Sequence, residues 1–103
     1  MPLPELTHLQ FLVLTILMDG ERSGREVREK LVEAGEQKSG PAFYQFMARL
    51  EDGGFVEGWY EQKVIDGQII KERRYRLTGQ GAKAREHVRD FYLAHAGLGL
   101  QGA

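Results

Sequence analysis

Asp66-Gly67 constrains this chain more than any other pair of residues. It stands between two runs rich in aromatic and β-branched side chains. Phe55, Val56, Trp59, Tyr60, Val64 and Ile65 come before it, and Ile69, Ile70, Tyr75 and Leu77 after it. A two-residue hairpin turn needs positive φ at both central positions, which Asp-Gly accepts at low cost. The pair therefore predicts a long hairpin, and a two-residue turn fixes its register: Ile65 opposite Gln68, Trp59 opposite Arg74, Val56 opposite Leu77. At 103 residues the chain has length for one small domain and one extra helix, closing a single core while leaving surface for a partner.

Helical signals surround the hairpin. Thr7 is an N-cap for a helix running to about Met18, with Leu9, Leu12, Val13, Ile16 and Leu17 so distributed that most of its circumference needs cover. Asp19-Gly20 stops it. Ser23, with Glu26 three residues on, forms a capping box for a second helix through about Ala34, and Gly35 suits its left-handed end. Val27 and Leu31 are its buried stripe. Ser39 caps a third helix, Gly40-Pro41 occupy its first turn, and Asp52-Gly53-Gly54 end it. Phe43, Met47 and Leu50 define its core face with Phe46 beside them, leaving Tyr44, Gln45 and Ala48 opposite and Arg49 nearer the edge. Thr78 opens a fourth helix through about Ala94, with Ala84, Val88, Phe91, Tyr92 and His95 along one side. The Gly-rich residues 97–103 are expected to fray. The fold class is mainly α with a β-hairpin wing: a winged helix-turn-helix in the order helix, helix, helix, strand, strand, helix. Its third helix would enter the major groove while the wing lies against the backbone or minor groove. Residues 1–78 form the DNA-binding unit, 79–96 a dimerisation helix and 97–103 a tail.

Several function classes fall away on composition. There is no cysteine, which excludes disulfide scaffolds, thiol catalysis and thiolate zinc sites. His8, His87 and His95 are too scattered for a metal site, and no phosphate-cradling glycine motif or His–carboxylate cluster supports an enzyme or a cofactor. The longest apolar run, Phe11 to Met18, is too short for a bilayer, and Met1-Pro2-Leu3-Pro4-Glu5 lacks the positive start of a secretory signal, so the expected location is the cytoplasm.

Four stretches resemble the PadR family of bacterial transcriptional regulators. They are Leu12-Val13-Leu14-Thr15-Ile16-Leu17 with Asp19-Gly20 and Ser23-Gly24; Ser39-Gly40-Pro41-Ala42-Phe43-Tyr44 with Arg49-Leu50-Glu51 and Gly54-Phe55-Val56; Trp59; and Arg73-Arg74-Tyr75-Arg76-Leu77-Thr78 with Gly81. The likeness spans residues 8–92 and is to the short subfamily with one C-terminal helix. It implies a dimeric repressor on a double-stranded DNA operator, with room for a small-molecule or protein effector. Arg25, Gln45 and Phe46 depart from the family pattern, as does the wing tip Val64-Ile65-Asp66-Gly67-Gln68-Ile69-Ile70, apolar where relatives are Gly/Pro-rich.

The formal charge is −1, from 14 basic and 15 acidic residues, which argues against a generic basic coat. Residues 57–76 nevertheless set five cations against four acids, residues 21–38 are balanced, and the third helix has Arg49 against Glu51 and Asp52. Phosphate contacts would come from Lys38, Lys63, Lys71, Arg73 and Arg74, with the exposed N–H groups at Ser39-Gly40 and with Arg49. Of Arg73 and Arg74 only one can face a duplex, since neighbouring strand residues point oppositely. Ser39, Tyr44 and Gln45 are the base-reading candidates, Gln through a bidentate pair with adenine. The plainer reading makes them a solvated face. Trp59 and Tyr75 read as strand-packing residues. For the dimer, Leu9, Val13, Ala84, Val88, Phe91, Tyr92 and His95 are the candidate contacts, because the first helix is too apolar for a single copy to cover. Near-neutral charge and the apolar wing tip favour an alternative, a winged-helix protein-interaction module without DNA binding.

Overall fold

Each helix begins on a hydroxyl. In the computed structural model, which describes residues 5–96, the Thr7 hydroxyl accepts from Gln10 N and Gln10 Oε1 accepts from Thr7 N, opening α1 (His8–Ile16). The helix tightens into a 3₁₀ turn over Leu17–Asp19 and is released by Gly20 at φ 133°. Ser23 and Glu26 form the expected capping box at α2 (Gly24–Glu33), and Gly35 turns the chain at φ 92°. Ser39 Oγ accepts from Ala42 N at the start of α3 (Gly40–Asp52), and Gly54 leaves it at φ 79°. The Thr78 hydroxyl accepts from Gly81 N, opening α4 (Gly79–Ala94), and donates to Gly54 O at 2.6 Å. One side chain thus ties the exit of α3 to the entry of α4. Residues 97–103, where fraying is expected, lie outside the described residues.

The hairpin has the expected register in full. Strands β2 (Val56–Ile65) and β3 (Gln68–Leu77) pair antiparallel from Val56↔Leu77 to Ile65↔Gln68, with Trp59 opposite Arg74. Asp66 and Gly67 form the turn at φ 52° and 77°. The sheet has one strand more than the sequence signals. Arg22–Ser23, named β1 although it precedes the hairpin, pairs with Tyr75 and Arg74, giving the order β1-β3-β2. Two residues are too few to show a period of two, and Ser23 already reads as a helix cap.

The core lies where the three N-terminal helices meet the base of the hairpin. Val13, Leu14, Leu17, Val27, Leu31, Phe43, Met47, Leu50, Val56 and Tyr75 are all buried there. Helix α4 lies on α1, with Val88 buried, Arg85 Nε donating to Thr15 Oγ1 at 3.2 Å and its guanidinium over the Phe11 ring. Gly81 is needed beneath it, since a Cβ there would collide with the Phe55 carbonyl. Two expected dimer contacts therefore need correction: Val13 and Val88 are packed inside the protomer and present no side chain to a partner. Val13 and Leu14 of α1 are covered by their own chain, while Leu9, Phe11, Leu12 and Ile16 are half-buried.

Candidate nucleic-acid interface

The entry to α3 is held from below. Arg28, on α2, donates from Nη2 to the Lys38 carbonyl at 3.2 Å and lies over the Phe43 ring. Lys38 in turn places its ammonium 5.5 Å from the Phe46 ring centre. With Phe43, Met47 and Leu50 inward, Tyr44, Gln45, Ala48 and Arg49 are left exposed, as the spacing predicts. Tyr44 is only 40% exposed, because its ring rests on Gly24. A Cβ at Gly24 would stand 2.9 Å from the Tyr44 hydroxyl and 3.0 Å from Cε1. Tyr44 is therefore seated on the first turn of α2 rather than free.

Strand alternation divides the hairpin into two faces with different charge. One carries Gly58, Tyr60, Gln62 and Val64 opposite Tyr75, Arg73, Lys71 and Ile69. It has two cations and no acid, and it faces α3. Tyr44, Ala48 and Glu51 line a groove of about 430 Å³ together with Tyr60, Lys71, Arg73 and Tyr75. The other face carries Glu57, Trp59, Glu61 and Lys63 opposite Arg76, Arg74, Glu72 and Ile70, with charges that cancel. A modest excess over residues 57–76 is thus concentrated on the side of α3.

Arg73 joins the two walls of the groove. It pairs with Glu51 at the end of α3 and lies 4.8 Å from the Tyr60 ring centre and 5.6 Å from that of Tyr75. Gly58 makes room for the pair, since a Cβ there would collide with the Glu51 carboxylate. Burial pushes the Tyr75 phenol up to about 12, against the opposing pull of Arg73. Lys71 is exposed, 6.0 Å from the Tyr60 ring centre.

Arg74 corrects the expectation of a phosphate contact. Its side chain is 12% exposed and is surrounded by Glu21, Glu26, Glu61 and Glu72 at 3.5, 3.9, 3.0 and 3.2 Å. Nε, although 3.0 Å from Glu61, is off the line of a hydrogen bond. Burial alone would lower its pKa, but the hydrogen bond to Glu72 and the surrounding carboxylates outweigh that and raise it. Lys63 is on the same face, bonded to Glu72 at 2.9 Å. That bond, followed by Arg74, holds the Glu72 carboxyl below its usual 4.5 against the opposing effect of burial. Both cations belong to an ion network on the hairpin face away from the groove, which for Arg74 extends to Glu21 and to Glu26 of α2.

Of the predicted contacts, the fold brings Tyr44, Lys71 and Arg73 to one groove, places Gln45 and Arg49 on the exposed side of α3, and leaves Lys38 and Ser39-Gly40 at its entry. Sequence reasoning missed Tyr60, Glu51, Gly58 and Gly24. Tyr60 was within reach, because the predicted register sets it opposite Arg73. The candidate dimer residues Leu9, Ala84 and Phe91 are half-buried, while Tyr92 and His95 are exposed. Tyr92 borders an α1–α4 cleft of about 330 Å³ with Leu6, Phe11 and Val88. The His95 ring is stacked 4.4 Å from that of Phe91, with Nδ1 2.7 Å from the Phe91 carbonyl.

Among the described residues no helix is long and apolar enough to cross a membrane. No family model matches the chain, and no curated protein does. Solved structures do. A PadR family transcription regulator from Clostridium difficile R20291 superposes with a TM-score of 0.77 at 19% identity, over 92% of this chain and 97% of that one. The RosR protein of H. salinarum gives a TM-score of 0.68 at 26% identity, over 87% of this chain and 76% of that one. Bacillus subtilis PadR, solved in complex with operator DNA, gives 0.64 at 24% identity, over 79% of this chain but 47% of that one.

Proposed function

We propose, from a winged helix-turn-helix fold shared with PadR-type regulators, that this protein is a sequence-specific DNA-binding transcriptional regulator. It acts as a dimeric repressor on a roughly palindromic operator, in the cytoplasm. The observation that carries the reading is the common groove. Tyr44 and Ala48 of α3 open onto the one hairpin face that has cations and no acid, Tyr60, Lys71 and Arg73. A helix in the major groove reads base edges, and cations beside it neutralise phosphates. Gln45 is the adenine reader, Tyr44 and Ser39 contact bases or phosphates, and Lys38, Arg49, Lys71 and Arg73 hold the backbone, together with the N–H groups at Gly40. That the B. subtilis relative is solved with its operator supports the same use here.

Dimerisation uses the exposed and half-buried side of α4 with Leu9 of α1: Ala84, Phe91, Tyr92 and His95. An effector, small molecule or protein, would act by biasing one spacing of the two reading helices over another.

The test is selection of bound sequences from a random duplex pool, repeated with Tyr44→Ala and Gln45→Ala, with a salt titration and sedimentation of the free protein. Enrichment of a two-fold sequence, a steep log–log salt slope and loss of preference in either variant support the reading. If neither substitution altered affinity or preferred sequence, the reading face would be wrong. A folded monomer at micromolar concentration would overturn the dimer.

A second reading, a winged-helix protein-interaction module, is favoured by one observation: Lys63, Arg73 and Arg74 all have carboxylate partners in the free chain. No duplex binding at low salt would select it.

A further inference from the structure

The wing tip gathers four of the exposed large aliphatic side chains among the described residues. Val64 and Ile69 are 73% and 70% exposed, Ile65 and Ile70 49% and 40%. Val64 and Ile69 are opposite one another on the face that carries Lys71 and Arg73, and Ile65 and Ile70 are on the reverse. Aliphatic side chains therefore clad both faces of the tip, and between Val64 and Ile70 the only charge is Asp66. Asp66 and Gly67 close the tip in a two-residue turn, with Ile65 and Gln68 still paired beside it.

The reach of the hairpin says what this tip meets, given the DNA-binding reading above, on which the inference rests. Tyr75 is the last β3 side chain buried against α3. From Tyr75 to Ile69 is six residues of antiparallel strand, about 20 Å at roughly 3.4 Å per residue. With α3 in a major groove, the neighbouring minor groove is half a helical turn away, about 17 Å. Arg73 and Lys71, about 7 and 14 Å along the same face, fall over the sugar–phosphate strand between the two grooves. Beyond them the cations stop and the aliphatics begin. Phosphates call for cations, whereas sugar edges and the faces of partly unstacked bases accept apolar groups.

We infer that the tip is an uncharged wedge, with Val64 and Ile69 pressed into the minor groove half a turn from α3 so that the duplex bends at that step. Its recognition is through deformability rather than hydrogen bonds, which favours a flexible pyrimidine–purine step at that distance from the base-reading centre. Asp66 opposes the contact, because its carboxylate approaches the negative potential of the groove.

The test uses the duplex enriched in the random-pool selection, labelled at both ends to read bending by energy transfer, with titrations at two salt concentrations. The Val64→Ser, Ile69→Ser double variant changes only exposed side chains. It should bind roughly tenfold more weakly and bend the duplex less, with an unchanged salt slope. Asp66→Asn keeps a residue that tolerates positive φ and should bind roughly threefold more tightly. Moving the pyrimidine–purine step by two base pairs should weaken the wild type and leave the double variant unaffected. A double variant that binds and bends as the wild type does overturns the wedge. So does an affinity loss that tracks conversion of dimer to monomer, which would assign the tip to a protein contact. Tight binding of an unbent duplex by the wild type overturns the wedge and leaves the DNA-binding reading standing. No duplex binding by the wild type overturns both.

Discussion

On the α3 side of the hairpin, Arg73 lies between Tyr60 and Tyr75 with Glu51 as its carboxylate partner. On the other side, one residue later, Arg74 is enclosed by Glu21, Glu26, Glu61 and Glu72. The difference separates two uses of the same side chain. Arg73 has one carboxylate partner and borders an open groove, which under the proposed function leaves it one acid to exchange for a phosphate. Arg74 would have to leave four, and its low exposure makes it part of how β3 is fixed to β1 and α2. Charge counted along the sequence treats the two arginines alike, whereas the pleat of the strand sorts them.

Arg74→Ala should have the largest effect on the comparison, because it leaves four acids facing one another around an emptied space. Three of the four acids are about half-exposed and screened by solvent, so loss of the low-exposure cation they share costs about 2 kcal/mol, read as a lower midpoint in chemical denaturation. Its salt slope on DNA should remain that of the wild type. A variant as stable as the wild type would make the cluster a surface ornament and return Arg74 to the list of phosphate contacts. Gly58→Val comes next. The added side chain collides with the Glu51–Arg73 pair, and overpacking at such a site costs about 2 kcal/mol. DNA affinity should also fall, since the groove wall must shift, whereas a silent Gly58→Val would show the pair to be freely displaced.

Arg73→Gln should lower stability by less than about 1 kcal/mol, because a pair between partly exposed groups contributes little. The salt slope of DNA binding should fall by about one. An unchanged slope would remove Arg73 from the interface and blur the contrast with Arg74.

Acidification gives the smallest effect and belongs to the Arg74 side. Glu26 is held below its ordinary 4.5 first by the Ser23 backbone N–H, with the Ser23 hydroxyl, Arg74 and Arg22 adding to it against burial. Glu72 is lowered by Lys63 and Arg74. A carboxyl with a depressed folded pKa takes up its proton in the unfolded chain first, so this stability is present above pH 4.5 and drains away as pH falls below it. Arg74→Ala should flatten that acid limb, and Arg73→Gln should not. At the alkaline end the sign reverses in form. Tyr75, raised to about 12, keeps its proton when an unfolded tyrosine near pH 10 loses it, so stability should fall between those values, read by tyrosine absorbance against circular dichroism.

What could be read in the sequence follows from how local each cause is. Helix starts were legible because Thr7, Ser23, Ser39 and Thr78 each act within three residues of themselves. The hairpin register was legible because Asp66-Gly67 sets it by counting. Parity in that register already put Arg73 and Arg74 on opposite faces and Glu61 and Glu72 beside Arg74. Which face meets α3 was not legible, since that depends on how a helix crosses a sheet and not on any spacing. Nor was β1, and with it went the approach of Glu21 and Glu26 to Arg74. Val13 was misplaced for a related reason. The apolar surface of α1 looked too large for one copy, but α4 and its Arg85 cover part of what the hairpin and helices leave.

The short strand β1 also joins parts of the chain that are made far apart in time. Arg22 pairs with Tyr75, so its hydrogen bonds close a loop of about fifty residues, and loop closure of that span is an entropic cost met before any reward. Tyr75, at the far end of that loop, is one of the buried side chains of the core. The three N-terminal helices leave the ribosome without the side chain that seals them, and their apolar faces remain unsealed until the second strand of the wing has been made. Among the described strands, β3 is thus both the last made and the central one, paired on both sides and carrying a core side chain.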